Sequence, residues 1–205
     1  MVHEEASAED RRITRSKAAL RKSFIELVQE RGLDNFSVND LCAHAGLNRG
    51  TFYNHFKDKD DLLSKYEQEI LNTLDCFQPE IKKLTLSEVW AHEVNKQPLS
   101  AFVHIFEYLA SERDFLCAII SRRGDASFAG RLRDAVCNDF ILGMLHERYR
   151  KNPSSFVNYY VAYYASAYMG VIERWLVTGM KETPEEMAVI ALHLLFIKPG
   201  QSIEL

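Results

Sequence analysis

A cluster of hydrogen-bonding side chains follows Gly46 within a short stretch of the chain. Residues 48–59 read NRGTFYNHFKDK, which sets Asn, Arg, Thr, Tyr, His and Lys around the apolar Phe52 and Phe56. Hydroxyl, imidazole, guanidinium and ammonium groups donate hydrogen bonds to phosphate oxygens, and Arg or Asn also pair with base edges. The stretch therefore has the chemistry of a surface that binds a polyanion carrying bases.

The charge distribution suits this chemistry. Residues 11–59 carry ten Lys or Arg against five Asp or Glu, although the whole chain has a net charge of −4. Residues 1–10 hold four acidic side chains and no apolar signal-peptide core, so we expect a disordered acidic arm there. A basic segment of an acidic chain can still be steered to a polyanion.

Two short helices joined by a tight turn must position these side chains. The first begins at Ser37, where Asp40 completes a variant capping box, and it ends at Gly46 in a left-handed turn that Gly favours. Asn48 is a good N-cap for a further helix over 49–56. Two helices joined by a Gly-containing turn form a helix-turn-helix, whose second helix fits a major groove about 12 Å wide.

Longer helices fill the rest of the chain. The other predicted helical segments are 13–31, 59–76, 85–94, 98–110, 112–122, 126–151, 154–179 and 184–197. Scarce Pro and Gly and few β-branched runs favour an all-α protein over one with a sheet. The apolar run 156–172 includes five tyrosines, which indicates a buried or interface helix, since a membrane span needs about 20 apolar residues. We therefore expect a cytoplasmic protein.

The sequence shows no constellation of catalytic or metal-ligating residues. His92 and Glu93 begin the run HEVNK, which lacks the second His of an H-E-x-x-H motif. The chain has no G-x-S-x-G motif, no P-loop and no dinucleotide fingerprint, and its four Cys form no C-x-x-C pair. His55 has no second metal ligand at helical spacing. We expect no enzymatic activity, no cofactor and no metal.

The stretch 36–63 resembles the DNA-binding region of the TetR family of bacterial transcriptional regulators. The matching residues are Ser37-Val38, Leu41, Ala45-Gly46-Leu47, Arg49-Gly50-Thr51-Phe52-Tyr53, His55-Phe56, Lys59, Leu62 and Leu63. Asn48 stands where Ser is commoner, and Cys42 where Ala is commoner. The resemblance covers about residues 13–65. It implies an N-terminal three-helix helix-turn-helix head, joined by a linking helix to a larger helical C-terminal ligand-binding and dimerisation domain.

Domain limits and DNA-contacting residues follow as predictions. We expect the DNA-binding head at 11–60, the regulatory and dimerisation domain at 61–198 and a loose tail at 199–205. The predicted DNA-binding residues are Ser37, Asn48, Arg49, Gly50, Thr51, Tyr53, Asn54, His55 and Lys59. Arg49 and Asn54 are candidates for base edges, and the hydroxyl, imidazole and ammonium groups are candidates for phosphates. Plain surface exposure is the alternative, and capping alone also explains Ser37.

The resemblance also implies a four-helix dimer interface made by the last two long helices, and a ligand pocket in the C-terminal domain. The predicted interface residues are Phe156, Tyr160, Tyr163, Ala167, Val171, Trp175, Met187, Ile190, Ala191 and Leu194. The predicted pocket residues are Phe102, His104, Ile105, Tyr108, Phe115, Phe140 and Met144. Ordinary core packing is the alternative for both sets.

These implications describe a sequence-specific DNA-binding transcriptional regulator. A two-fold dimer places two recognition helices about 34–36 Å apart on the DNA, so we expect a palindromic operator. The expected form is a repressor that responds to an unidentified small molecule. The alternative is an activator whose C-terminal domain binds a partner protein. An enclosed apolar cavity would favour the small molecule, and a solid core with an exposed apolar patch would favour the protein partner.

Overall fold

The computed structural model describes residues 2–138, 141, 145 and 154–196. Within those residues the secondary structure is helical and contains no strand, which confirms the all-α prediction. The helices are α1 Val2–Arg31, α2 Val38–His44, α3 Arg49–Tyr53, α4 Lys59–Asp75, α5 Gln78–Lys83, α6 Leu86–Val94, α7 Ser100–Ser111, α8 Arg113–Ile120, α9 Ala126–Arg133, α10 Ser155–Val177 and α11 Pro184–Leu194. A 3-10 turn spans Leu33–Asn35, and a π-helical turn spans Asp134–Asn138.

The chain divides into two compact units. The head unit consists of Met1–Glu69 and Ala118–Phe128, and the regulatory unit consists of Ile70–Cys117 and Ala129–Leu205. The predicted domain limits treat the head as one continuous segment that ends at residue 60, so they differ from this division. Within the head unit, the Leu33 amide donates a hydrogen bond of 2.8 Å to the Arg123 carbonyl, which ties the later segment to the end of α1.

The core of the head unit forms from the apolar faces that helical spacing predicts. Leu20, Phe24 and Val28 of α1 are fully buried, as are Leu41 of α2 and Phe52 of α3. Burying each such side chain stabilises the fold by about 1.5–3 kcal/mol. Because α2 and α3 share this core with α1, the polar side chains of α3 remain on the outside of the unit.

Local capping fixes the helix-turn-helix. At the start of α2, the Ser37 hydroxyl accepts from the Asp40 amide and the Asp40 carboxylate accepts from the Ser37 amide, as the sequence predicts. Gly46 has φ +64°, in the left-handed region. Asn48 Oδ1 then accepts from the Thr51 amide at 2.8 Å and starts α3. These contacts set the direction in which α3 leaves the turn.

Gly46 provides a test of this turn. Gly46→Ala is expected to lower the free energy of unfolding by about 1–2 kcal/mol, because an L side chain in the left-handed region is strained. A Cβ at either Gly46 or Gly130, which lies inside α9, would meet nothing within 4 Å. Gly130→Ala is therefore the control, and it is expected to be neutral or to stabilise by up to about 1 kcal/mol. Urea denaturation measures both, and equal shifts would show that the turn is unstrained.

The structure differs from the sequence prediction in several helices. In place of the start of the helix predicted over 126–151, α9 ends at Arg133 and a π-helical turn follows. The first helix begins at Val2, whereas the sequence predicts a helix from residue 13, and the Glu and Ala residues of the segment 2–10 are strong helix formers. The recognition helix ends at Tyr53 instead of residue 56. Helix α5 is not among the predicted segments, although Pro79 in its first turn is a typical helix-start signal.

Candidate nucleic-acid interface

Helix α3 presents its predicted DNA-binding side chains at the surface of the head unit. Asn48, Arg49, Gly50, Tyr53 and Asn54 are exposed. The Asn48 side chain is committed to capping, since its Oδ1 accepts from both the amide and the hydroxyl of Thr51, at 2.8 and 3.1 Å. Asn48 and Thr51 therefore also fix the start of α3. The exposed side chains of Arg49 and Asn54 take no part in this cap.

Gly50 leaves room for this cap. A Cβ at position 50 would lie 3.2 Å from Asn48 Oδ1, closer than an ordinary contact. Close approach to the DNA groove, the role that the sequence predicts for Gly50, stays a prediction. The structure adds a second reason for Gly here, because a side chain would crowd the atom that caps α3.

Arg49 and Tyr53 lie one helical turn apart and contact each other. Arg49 Nη2 donates to the Tyr53 hydroxyl oxygen at 3.3 Å, and the guanidinium lies 5.8 Å from the centre of the Tyr53 ring. The hydrogen bond to Tyr53 raises the pKa of Arg49 above its ordinary value. This pair forms a cationic, hydrogen-bonding surface on the exposed side of α3.

Ser37 and His55 flank the recognition helix. The Ser37 hydroxyl donates to Asp40 Oδ2 at 2.6 Å, and this bond holds the pKa of Asp40 below its ordinary value. Capping therefore accounts for Ser37, and its phosphate contact stays a prediction. His55 is half-buried beside the Phe56 ring, and its carbonyl accepts from Lys65 Nζ at 3.0 Å.

Lys59 makes contacts within the protein that the sequence analysis does not include. Its ammonium donates to the carbonyls of Leu33 and Phe36, at 2.6 and 3.0 Å, and lies 4.7 Å from the centre of the Phe36 ring. Two of its three N–H donors are thus used to join the start of α4 to the segment before α2. The phosphate contact of Lys59 stays a prediction, but a structural role is now the better supported one.

Lys57 is a candidate that the sequence analysis omits. It is exposed, directly after His55 and Phe56, and it stands between α3 and α4. Its position within the basic segment 11–59 is the signal that could have identified it. An exposed ammonium beside a recognition helix is well suited to a phosphate oxygen.

The regulatory unit contains a small apolar cavity. Its volume is about 40 Å³, and its lining is Phe102, Ile105, Phe106, Val136, Tyr168, Ile172 and Ala191. Of the predicted pocket residues, Phe102 and Ile105 line this cavity. His104 is exposed and stacks on Phe77, Tyr108 also contacts Phe77, and Phe115 is fully buried outside the lining. Phe140 and Met144 lie outside the described residues.

The predicted dimer residues divide into a surface set and a core set. Phe156, Tyr163, Ala167 and Leu194 are exposed, with Phe156 74% and Tyr163 70% exposed, and Tyr160, Val171 and Ile190 are half-buried. Together with Gly170 and Arg174, Ala167, Val171, Ile190 and Leu194 line a groove of about 550 Å³ between α10 and α11.

Trp175, Met187 and Ala191 correct the prediction, because each is buried within its own subunit. Trp175 is 2% exposed, and its ring packs edge-on against the Phe106 ring with the ring centres 5.3 Å apart. Its Nε1 donates a hydrogen bond of 3.0 Å to the Glu182 carbonyl. The Ala191 carbonyl accepts a hydrogen bond of 2.5 Å from the Tyr168 hydroxyl, and Ala191 also lines the small cavity. Trp175 and Met187 also line part of the groove.

Within 2–138 and 154–196, no group of three or more His, Cys, Asp or Glu is arranged to hold a metal ion. Among the helices of the same ranges, none combines the length and the apolar character needed to cross a bilayer.

Comparison with known proteins agrees with this geometry. Residues 16–66 match the model of the bacterial regulatory proteins of the tetR family, and residues 96–196 match that of a transcriptional regulator C-terminal region. An HTH-type transcriptional regulator of Staphylococcus aureus strain bovine RF122 is 44% identical over 48 residues, which cover 23% of this chain and 26% of that protein. The matches to the first four curated relatives span only 14–37% of those proteins' lengths.

Solved structures share the fold. A TetR transcriptional regulator from Streptococcus agalactiae 2603V has a TM-score of 0.56 at 22% identity, over 93% of this chain and 98% of that one. The dihydroxyacetone kinase operon activator DhaS has a TM-score of 0.52 at 18% identity, over 88% and 93%. With a helix-turn-helix that exposes Arg49 and Tyr53, and with both family models matched, the chain belongs to the TetR family of bacterial transcriptional regulators, which bind DNA.

Proposed function

We propose that the protein is a repressor that binds a palindromic operator as a homodimer, with α3 in the major groove. The observation that carries this proposal is the exposed side of α3, where Arg49, Tyr53 and Asn54 project from a turn fixed to the core by Phe52. Arg pairs with guanine O6 and N7, and Asn with adenine. Such a protein acts in the cytoplasm, where the chromosome is.

The groove between α10 and α11 supports dimerisation. Large apolar side chains are exposed along α10, including Phe156, Tyr159 and Tyr163. A contiguous exposed apolar surface of this kind is typical of a protein interface. A second copy that packs its own α10 and α11 against this surface would give the two-fold arrangement that places two copies of α3 on one face of the DNA.

Repression needs no further surface, because a dimer seated on an operator obstructs other proteins by occupancy. Release would come from an effector that binds the conformation unsuited to DNA. The cavity beside Tyr168 is the candidate site, although drug-sized ligands occupy about 300–1,000 Å³ and this cavity has about 40 Å³. An effector must therefore enlarge the cavity, so its binding must be coupled to a rearrangement of the regulatory unit. A coupling of this kind is what an effector needs in order to control DNA binding.

A second candidate function is activation through a partner protein. Leu86, Trp90 and Val94 occur at every fourth position of α6 and are each about 60% exposed, so they form an apolar stripe. The small volume of the cavity and the exposure of this stripe are the two features that favour a protein partner over a small-molecule effector. The activator DhaS shows that an activator can have this fold. In vitro transcription from an operator-bearing template separates the two, since a repressor lowers transcript yield without any added protein.

Arg49→Ala tests the proposed operator binding. Duplexes selected by the wild-type protein from a random-sequence pool serve as the operator. The variant is expected to bind the selected duplex about 1–3 kcal/mol more weakly, with little loss on random DNA, because a base contact carries sequence discrimination. Fluorescence anisotropy at fixed salt measures both affinities.

Arg122→Ala is the matched control for Arg49→Ala. Arg122 is also exposed and also lies in the head unit, but outside the helix-turn-helix, so its removal is expected to leave discrimination unchanged. If Arg49→Ala weakens selected and random duplexes equally, Arg49 contacts phosphate and does not read a base. If the wild-type protein enriches no duplex from the pool, operator binding itself is refuted.

A further inference from the structure

Tyr53 contacts the side chain of Arg49, a candidate for reading a base. Arg49 Nη2 donates to the Tyr53 hydroxyl oxygen at 3.3 Å, and the guanidinium lies 5.8 Å from the ring centre. The two residues are four positions apart on α3, so they meet on one side of the helix. The Arg49 guanidinium therefore has a preferred position on the exposed side of α3 before any DNA binds.

The Tyr53 ring is itself held by the core of the head unit. It packs edge-on against the Phe52 ring, with the ring centres 5.4 Å apart and the planes at 87°. Phe52 is fully buried, whereas Tyr53 is 49% exposed. The contacts thus run from a fixed core ring to a half-exposed ring and then to an exposed guanidinium.

We propose that Tyr53 is a positioning residue that sets the sequence specificity of Arg49. A guanidinium has five N–H donors, and the bond to Tyr53 uses one, which leaves enough for a two-point contact with guanine O6 and N7. Holding a long side chain in its binding position reduces the ordering cost on association. This inference rests on the proposed operator binding and adds a role that differs from direct phosphate contact by Tyr53.

The two roles of the Tyr53 hydroxyl have different consequences for DNA binding. A hydroxyl that only donated to a phosphate oxygen would strengthen binding to every duplex, since phosphate contacts carry no sequence information. A hydroxyl that positions Arg49 strengthens binding only where the guanine is present. The ratio of affinities for the selected duplex and for one with its G·C pairs exchanged therefore separates the two roles.

Tyr53→Phe removes the hydroxyl and keeps the ring contacts with Phe52 and Arg49. The affinity ratio between the selected duplex and its G·C-exchanged counterpart is expected to fall roughly three- to ten-fold, which corresponds to the loss of about one hydrogen bond. In an Arg49→Ala background, the same substitution is expected to leave the ratio unchanged, because a positioning residue has no effect without its partner. Arg122→Ala, in the head unit but outside the helix-turn-helix, is again the control and is expected to leave the ratio unchanged.

Two outcomes would overturn the inference while leaving operator binding intact. One is wild-type affinity for both duplexes in Tyr53→Phe. The other is an equal loss on both duplexes, which would make Tyr53 a phosphate contact only. Failure of the wild-type protein to enrich any duplex would refute operator binding as well, so the two failures are distinguishable.

Discussion

Trp175→Glu is expected to unfold the regulatory unit and not to release folded monomers. Trp175 is 2% exposed, and its indole N–H is satisfied by the Glu182 carbonyl. Glu would remove the packing against Phe106 and bury a charge. The expected loss is at least about 4 kcal/mol, a large part of the roughly 5–15 kcal/mol that stabilises an ordinary protein. Far-UV circular dichroism with urea titration measures it.

Tyr163→Glu is the matched surface variant of this change. Tyr163 is 70% exposed on the same helix, so the same charge there remains in water within a single subunit. We expect an unchanged circular dichroism spectrum, a monomer in analytical ultracentrifugation and the loss of tight operator binding, since one recognition helix replaces two. A dimer that survives Tyr163→Glu at micromolar concentration would place the interface on another surface.

Lys59→Met is expected to destabilise the head unit by about 3–6 kcal/mol. The substitution removes two hydrogen bonds from an ammonium to the Leu33 and Phe36 carbonyls, and bonds to a charged group each contribute about 1.5–3 kcal/mol. Because Met keeps most of the side-chain volume, the decrease in the free energy of unfolding measures the contribution of the ammonium group. Urea denaturation without DNA measures it, and a stability equal to wild type would contradict the structural role.

DNA binding by Lys59→Met separates the structural role from the predicted phosphate contact. The slope of log affinity against log salt is expected to stay at the wild-type value if Lys59 serves the fold alone, and to flatten by about one unit if it also neutralises a phosphate. Lys57→Met is the control, since Lys57 is exposed two positions earlier. It is expected to keep wild-type stability and to flatten the slope.

The local features of the head unit could be predicted because they depend on residues close in the chain. The Ser37–Asp40 capping box, the left-handed Gly46 and the Asn48 cap each involve residues within three positions of one another or a single backbone angle. The two carbonyl contacts of Lys59 join residues 26 and 23 positions apart. No spacing rule reveals such contacts, and for this reason the sequence predicts for Lys59 only a phosphate contact or plain surface exposure.

Helix α10 shows a second limit of sequence prediction. It is apolar on most sides: Val161, Ala165 and Ile172 are buried, while Phe156 and Tyr163 are exposed. Helical spacing can group such residues into stripes, but it does not indicate which stripe faces the core of the subunit. For this reason the predicted dimer surface includes the buried Trp175 together with the exposed aromatic side chains.

The hydrogen bond from the Leu33 amide to the Arg123 carbonyl has a consequence for building hybrid regulators. Arg123 lies in the segment Ala118–Phe128 of the head unit. This segment begins 49 residues after Glu69, where the first segment of that unit ends. A chimera that takes only the first 69 residues from one parent would pair Leu33 with a foreign backbone. Grafting both segments together is the recombination that would preserve the parental DNA-reading geometry.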